Sequence, residues 1–216
     1  MLAMRRAGVT RFDDLPEAVP ALAWPTESRL LFSHPERYVA RTRVNPEYGK
    51  PGWTRDCGKR FHRGVDIAPV RATPSGHTVT VLFSDCATGR EYPSAEPAWV
   101  PEDTVFAVSH GRVVEVNASE DASDFGLFVV VQHEWPDAAF ACFTLYAHLA
   151  SVDVSTNSTV QAGTRLGVLG QTSRIADARA WMAIAPHLHF EVLTPDGGAY
   201  DPLQLLQRGL KKTNHE

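Results

Sequence analysis

From about residue 104 onward the chain is built of short runs rich in Val, Phe, Leu and Tyr, each closed by turn residues, and this pattern decides what it can fold into. The runs are Val105-Phe106-Ala107-Val108, Gly111-Arg112-Val113-Val114-Glu115-Val116, Leu127-Phe128-Val129-Val130-Val131, Phe143-Thr144-Leu145-Tyr146 and Leu188-His189-Phe190-Glu191-Val192. β-branched and aromatic side chains fill a pleated surface well, and runs of about five residues spaced in this way indicate antiparallel sheets packed face to face or partly closed. The expected fold is therefore all-β, a compact antiparallel β-sandwich or partly open barrel. Helical signal is thin. The better candidate is Asp201 to Arg208, with Asp201 as cap, Pro202 in the opening turn and Gly209 to end it. A second is Ile175 to Trp181.

Residues 1–50 carry Pro, Arg and short apolar pieces without sustained periodicity, and read as an irregular N-terminal wrapping extension. Residues 51–216 read as one domain, interrupted at about 70–103 by an insertion that includes a strand over Thr78 to Phe83 and a proline-punctuated stretch from Pro93 to Pro101. At 216 residues and 44% hydrophobic, the chain is long enough to bury a substantial core. Its formal net charge of -4 supplies no broad basic field for nucleic acid or anionic lipid. No apolar run approaches the roughly 20 residues of a transmembrane helix. The basic start, Met1 to Ala7, is followed by Thr10-Arg11-Phe12-Asp13-Asp14 rather than the apolar stretch of a secretory signal. Cys57, Cys86 and Cys142 form no CxxC pair, and their odd count leaves at least one thiol without an intrachain partner.

Three histidine-bearing stretches stand out: Phe61-His62-Arg63-Gly64-Val65-Asp66-Ile67, Tyr146-Ala147-His148-Leu149 and Pro186-His187-Leu188-His189-Phe190-Glu191. Chance alone yields about 0.5 HxxxD and about 0.4 HxH matches in a chain of this composition, so neither spacing is specific by itself. Geometry adds weight. His187 and His189 lie two apart in a β-type run, which projects both imidazoles from one face. Phe190 and Val192 make that strand a buried one, where an unpartnered imidazole pair carries a desolvation cost that metal ligation offsets. His62 and Asp66 add a nitrogen and an oxygen donor, with Gly64 between them permitting a tight backbone path. Two His and one carboxylate are the ligand count of a catalytic zinc site, which keeps a fourth position for water.

Taken in order, His62-xxx-Asp66, Gly111-Arg112-Val113-Val114, Tyr146-Ala147-His148-Leu149, the glycine-rich stretch from Gly163 to Thr172 and Pro186-His187-Leu188-His189-Phe190-Glu191-Val192 resemble the lysostaphin or LytM-type zinc peptidases of the duplicated hybrid motif fold. The resemblance covers about residues 60–202. It implies one Zn2+ per chain held by His62, Asp66 and His189, with His148 and His187 as the catalytic pair that deprotonates the attacking water and stabilises the tetrahedral intermediate. It further implies peptidoglycan peptides as substrate and a periplasmic or extracellular site of action, with a cytoplasmic one left open by the lack of a visible signal; the charge argues against nucleic acid, and a monomer is expected. The insertion and a second expansion at 173–185 depart from the family pattern, as does Ala185 where a glycine commonly precedes Pro-His-Leu-His. Both additions border the groove and are expected to shape specificity.

The function expected is a zinc-dependent endopeptidase acting on stem peptides or cross-bridges of peptidoglycan. The alternative is a non-catalytic LytM-like scaffold that binds and activates another wall hydrolase. Such relatives lose zinc ligands, whereas this chain keeps all three and both accessory histidines. A metal-binding β-domain unrelated to cell walls is a third reading, and it leaves Tyr146-Ala147-His148-Leu149 unexplained. His110 and His133 fall outside the motif set and are expected to serve structural or surface roles. Trp53, Trp99, Trp135 and Trp181 are expected to serve core or loop packing rather than to line a glycan groove. A side chain of the extension such as Asn45 can be imagined blocking the zinc.

Overall fold

The computed structural model describes residues 8–17, 19–27, 49–55, 57–67, 69, 78–84, 87–88, 90–97, 103–174 and 186–213. The candidate helix at 175–181 and Asn45 lie outside them, as do most of the 173–185 expansion and parts of the 70–103 insertion.

The chain is mostly antiparallel strand with a short C-terminal helix, as the apolar runs imply. Its hub is β9 (Phe140–Val152), the longest strand. One edge of β9 pairs with β8 (Leu127–Trp135). The other edge is shared, with β12 (Leu188–Leu193) along residues 143–147 and β11 (Arg165–Leu169) along residues 149–152. Outward from β8 lie β7 (Gly111–Asn117) and β10 (Thr159–Val160), and beyond β11 lies β6 (Thr104–Phe106). β12 also pairs with β3 (Val65–Ile67) and β13 (Ala199–Tyr200). Among the described residues these nine strands form one open sheet that branches at β9. Two hairpins stand apart from it: β1 (Gly52–Arg55) with β2 (Arg60–His62), and β4 (Thr78–Ser84) with β5 (Glu91–Pro97). In the latter, Pro93 and Pro97 are tolerated because a two-stranded ribbon has only edge strands.

Tyr146, Phe190, Leu149, Leu166, Leu169, Leu188 and Ile67 are fully buried where β3, β9, β11 and β12 meet. Full burial of each such side chain contributes about 1.5–3 kcal/mol. Val19, Leu22 and Trp24 join this core, and the chain around them hydrogen-bonds to Val108 and Phe106 beside β6. The helix α1 (Pro202–Thr213) opens as expected, with Asp201 Oδ1 accepting from the backbone N–H groups of Leu203 (2.9 Å) and Gln204 (3.3 Å). It does not stop at Gly209. A Cβ there would stand 2.0 Å from the carbonyl oxygen of Leu22, so this glycine lets the N-terminal segment approach the helix and does not cap it.

Candidate metal centre

Adjacent strands assemble the site. In the β3–β12 register Asp66 lies directly opposite His189, and in the β12–β9 register His189 lies opposite Ala147, next to His148. Residues separated by 123 positions are thereby placed side by side, with His62 arriving from the end of β2. His189 Nδ1 is 2.8 Å from Asp66 Oδ1 and 3.2 Å from His62 Nε2, and His62 Nε2 is 3.4 Å from Asp66 Oδ1. All three residues are buried. Four ligands about 2.0–2.1 Å from a zinc in tetrahedral array stand about 3.3 Å apart, so these spacings suit that ion. Two imidazole nitrogens and a carboxylate oxygen are also the donor chemistry it takes.

The far nitrogen of each imidazole is anchored. His62 Nδ1 lies 2.8 Å from the carbonyl oxygen of Lys50, which can only accept, so Nδ1 carries the proton and Nε2 presents its lone pair. His189 Nε2 lies 2.9 Å from Glu191 Oε1, and Arg63 pairs with the other oxygen of Glu191 at 3.3 Å. A carboxylate behind a metal-binding imidazole fixes the ring and raises its basicity. Phe125 stacks on His189, with ring centroids 5.6 Å apart. Gly64 lies against the same ring: a Cβ on it would sit 2.6 Å from His189 Cε1 and 2.8 Å from the Phe190 carbonyl oxygen. Its value is the room it leaves for the His189 ring.

Burial sets the protonation of these groups. Desolvation pushes Asp66 upward, but Arg55, His62 and His187 outweigh it and hold the carboxyl well below its usual range. Burial would lower His189, yet its hydrogen bonds to Asp66 and Glu191 push it up to about 9. His189 is thus held in its protonated form at neutral pH, and a metal would have to displace that proton to reach Nδ1. His62 is lowered, chiefly by desolvation.

The second histidine pair lies beside the first. Ring centroids of His148 and His187 are 5.0 Å apart, those of His148 and His189 are 5.8 Å apart, and His187 Nε2 is 3.9 Å from Asp66 Oδ1. His148 sits at a bulge: β8 advances two residues from Leu127 to Val129 while β9 covers three from Leu149 to Tyr146. There the His148 backbone takes φ 62, unusual for a residue other than glycine, and its N–H leaves the ladder for the Phe125 carbonyl at 2.9 Å. Its Nδ1–H donates to the Thr172 carbonyl at 2.8 Å. Burial, with His187 and His189 adding to it, keeps His148 well below its usual value. Thr172 is itself fixed, its hydroxyl donating to the Leu149 carbonyl (2.7 Å) and accepting from the Leu127 N–H (2.9 Å). His187 is placed by a bridge to Gly170, whose carbonyl accepts its N–H at 3.1 Å. The glycine-rich stretch ending at Thr172 thus orients both accessory histidines.

Residues 97–202 match peptidase family M23. The chain carries an M23 peptidase domain. The match takes in His148, His187 and His189 and begins after His62 and Asp66, which the fold brings to it. No curated protein matches the chain. Among solved structures, the M23 domain is similar to the catalytic domain of the antimicrobial peptidase lysostaphin from Staphylococcus simulans, at 20% identity over 83% of this chain and 98% of that one, TM-score 0.46. A zinc-containing peptidase from Vibrio cholerae matches at 22% identity over 79% of this chain and 40% of that one, TM-score 0.38. Csd3 from Helicobacter pylori matches at 16% identity over 90% of this chain and 38% of that one, TM-score 0.42. All three fall below a TM-score of 0.5, so membership rests on the matched residues and not on these likenesses.

The five histidine and aspartate positions singled out in the sequence lie within one buried cluster. Glu191, Arg55 and Thr172 were not assigned roles from sequence. Glu191 had a signal, since two residues after His189 on a strand is the same face. Of the other candidates, His133 is buried between the His110 carbonyl (2.6 Å) and the Thr144 hydroxyl (2.7 Å) and stacks on Trp135, a structural arrangement away from the metal cluster. Trp53 is 52% exposed yet packs edge-on against Phe61, with ring centroids 5.7 Å apart, and Trp135 packs against Phe140; Trp99 and Trp181 lie outside the described residues. Cys57 is disulfide-bonded, and Cys142 is the free, buried thiol among the described residues.

Proposed function

We propose that the chain is a zinc-dependent endopeptidase that hydrolyses peptide bonds in the stem peptides or cross-bridges of bacterial peptidoglycan. The observation that carries this reading is the convergence of His62 Nε2, Asp66 Oδ1 and His189 Nδ1 within one buried cluster, each far imidazole nitrogen already engaged by an oxygen. These three residues would hold the ion. Zinc when bound supplies Lewis acidity, which lowers the pKa of a water toward ~7 and polarises a carbonyl.

The rest falls to the protein. His148, kept neutral by burial and oriented by Thr172, presents Nε2 as the basic nitrogen that takes a proton from the nucleophile. His187, bridged to Gly170 just ahead of β12 and with its Nε2 3.9 Å from Asp66 Oδ1, lies where it can steady charge developing on the substrate carbonyl oxygen. Glu191 keeps His189 in register throughout.

Digestion of purified peptidoglycan with zinc analysis tests this. Wild type is expected to hold about one zinc and release muropeptides; His187→Ala and His148→Ala are expected to keep zinc and lose about 10²–10⁴-fold in rate. Stoichiometric zinc without any cleavage by wild type would transfer support to a non-catalytic scaffold.

A further inference from the structure

Arg55 stands in the site with no role in the chemistry above. It enters through a bulge in the β1–β2 hairpin: Trp53 pairs with Phe61, but Arg55 pairs with Arg60, so the intervening Thr54 is the extra residue. In a regular ladder Arg55 would share the face of Trp53. One inserted residue moves it to the opposite face, that of His62. Trp53 is left outside against Phe61, at a ring separation of 5.7 Å, while the guanidinium turns inward to a side chain only 13% exposed.

There Arg55 Nη2 donates to Asp66 Oδ2 and lies 2.8 Å from His62 Nε2. Guanidinium can only donate, and the Lys50 carbonyl has fixed the His62 proton on Nδ1, so the Nε2 lone pair is the acceptor. That lone pair is the one a metal would take. One cation of the chain thus engages two of the three candidate ligands, pairing with the buried carboxylate and covering a nitrogen donor.

We propose that Arg55 is an internal counter-cation of the metal centre: it compensates the buried charge of Asp66, contends with the metal for His62 Nε2, and so sets how tightly the ion is held. This rests on the reading of His62, Asp66 and His189 as ligands. An entering ion displaces the guanidinium from His62 while leaving it access to Asp66 Oδ2. Removing the arginine takes away both a competitor and a like charge beside the ion, which strengthens metal binding. It also leaves Asp66 uncompensated until metal arrives.

The test is zinc affinity by competition with a chromophoric chelator, together with melting in EDTA and in saturating zinc, for wild type, Arg55→Gln, Arg55→Lys and Asp66→Asn. Arg55→Gln is expected to bind zinc about tenfold or more tightly than wild type. Its melting temperature should fall in EDTA and recover in zinc. Arg55→Lys, a shorter point charge, should lie between, and Asp66→Asn should lose zinc. An Arg55→Gln protein with unchanged or weaker affinity, or one equally destabilised in EDTA and in zinc, overturns the proposal and leaves Arg55 a fold support. A wild type that takes up no zinc overturns the metal-site reading itself, and this proposal with it.

Discussion

Gly64→Ala adds one methyl group directly against the His189 ring. The new Cβ would stand 2.6 Å from His189 Cε1, 2.8 Å from the Phe190 carbonyl oxygen and 2.9 Å from His189 Nε2, against 3.4 Å for ordinary contact. The overlaps are therefore 3.4 − 2.6 = 0.8 Å and 3.4 − 2.8 = 0.6 Å for the first two. Neither neighbour yields easily. Phe190 is in register with Val65 in the β3–β12 ladder, and the His189 ring is held at both nitrogens by Asp66 and Glu191. Overpacking of this kind costs about 1–3 kcal/mol. Turning His189 to relieve it spoils ligand orientation, for which about a 10–100-fold loss of zinc affinity is expected. Urea unfolding in EDTA reads the first effect and chelator competition the second. An alanine variant within about 0.5 kcal/mol of wild type, with unchanged zinc affinity, would refute the close-packing account of Gly64.

Three further outcomes follow from the same structure. His133 is held at about 4 instead of 6.5, first by burial, so the fold favours its neutral form and the unfolded chain takes up the proton first; stability is full above about pH 6.5 and falls by roughly 3 kcal/mol as pH drops to about 4. Urea unfolding of wild type and His133→Gln across that range checks it, and equal slopes for the two proteins would count against the assignment. Glu191→Gln removes the charge behind His189 at nearly constant volume and is expected to weaken zinc binding by about 10–100-fold, measured by chelator competition; wild-type affinity would show that the carboxylate does not tune the ligand. Gly126→Ala, at φ 59 with a Cβ 2.2 Å from the Thr172 carbonyl oxygen, should shift the acceptor of His148 and lower turnover without loss of zinc, read as muropeptide release beside metal content. Zinc lost along with activity would contradict that division of roles.

The β-runs were legible because each strand buries the same residue types that favour extended backbone. β7, β8, β9 and β12 contain the apolar runs seen in the sequence, though β8 extends past its run through Gln132 and His133 to Trp135, and β9 reaches from Phe140 to Val152. Those extensions are held by cross-strand pairing and by the His133–Thr144 hydrogen bond, neither of which periodicity reports. β1, β2, β3 and β13 are too short to carry a pattern. The site was legible as a set of residue types and spacings; His189 lies on β12, while His187 sits just before that strand, bridged to Gly170. What spacing could not reach was how His62 and Asp66 meet a strand more than a hundred residues later, which depends on β3 pairing with β12. Two bulges were also out of reach, one that swings His148 out of the ladder and one that turns Arg55 inward. A one-residue insertion in a ladder leaves no compositional trace.

X-ray absorption at the zinc edge tests the convergence of His62, Asp66 and His189 most directly, on zinc-loaded wild type and single variants. Nitrogen and oxygen donors at about 2.0–2.1 Å, including two imidazoles, are expected for wild type. His62→Ala and His189→Ala should each lose one imidazole from the spectrum, while His148→Ala and His187→Ala should keep both. A sulfur donor, or an imidazole lost on changing His148 or His187 but kept on changing His62 or His189, would contradict the ligand set.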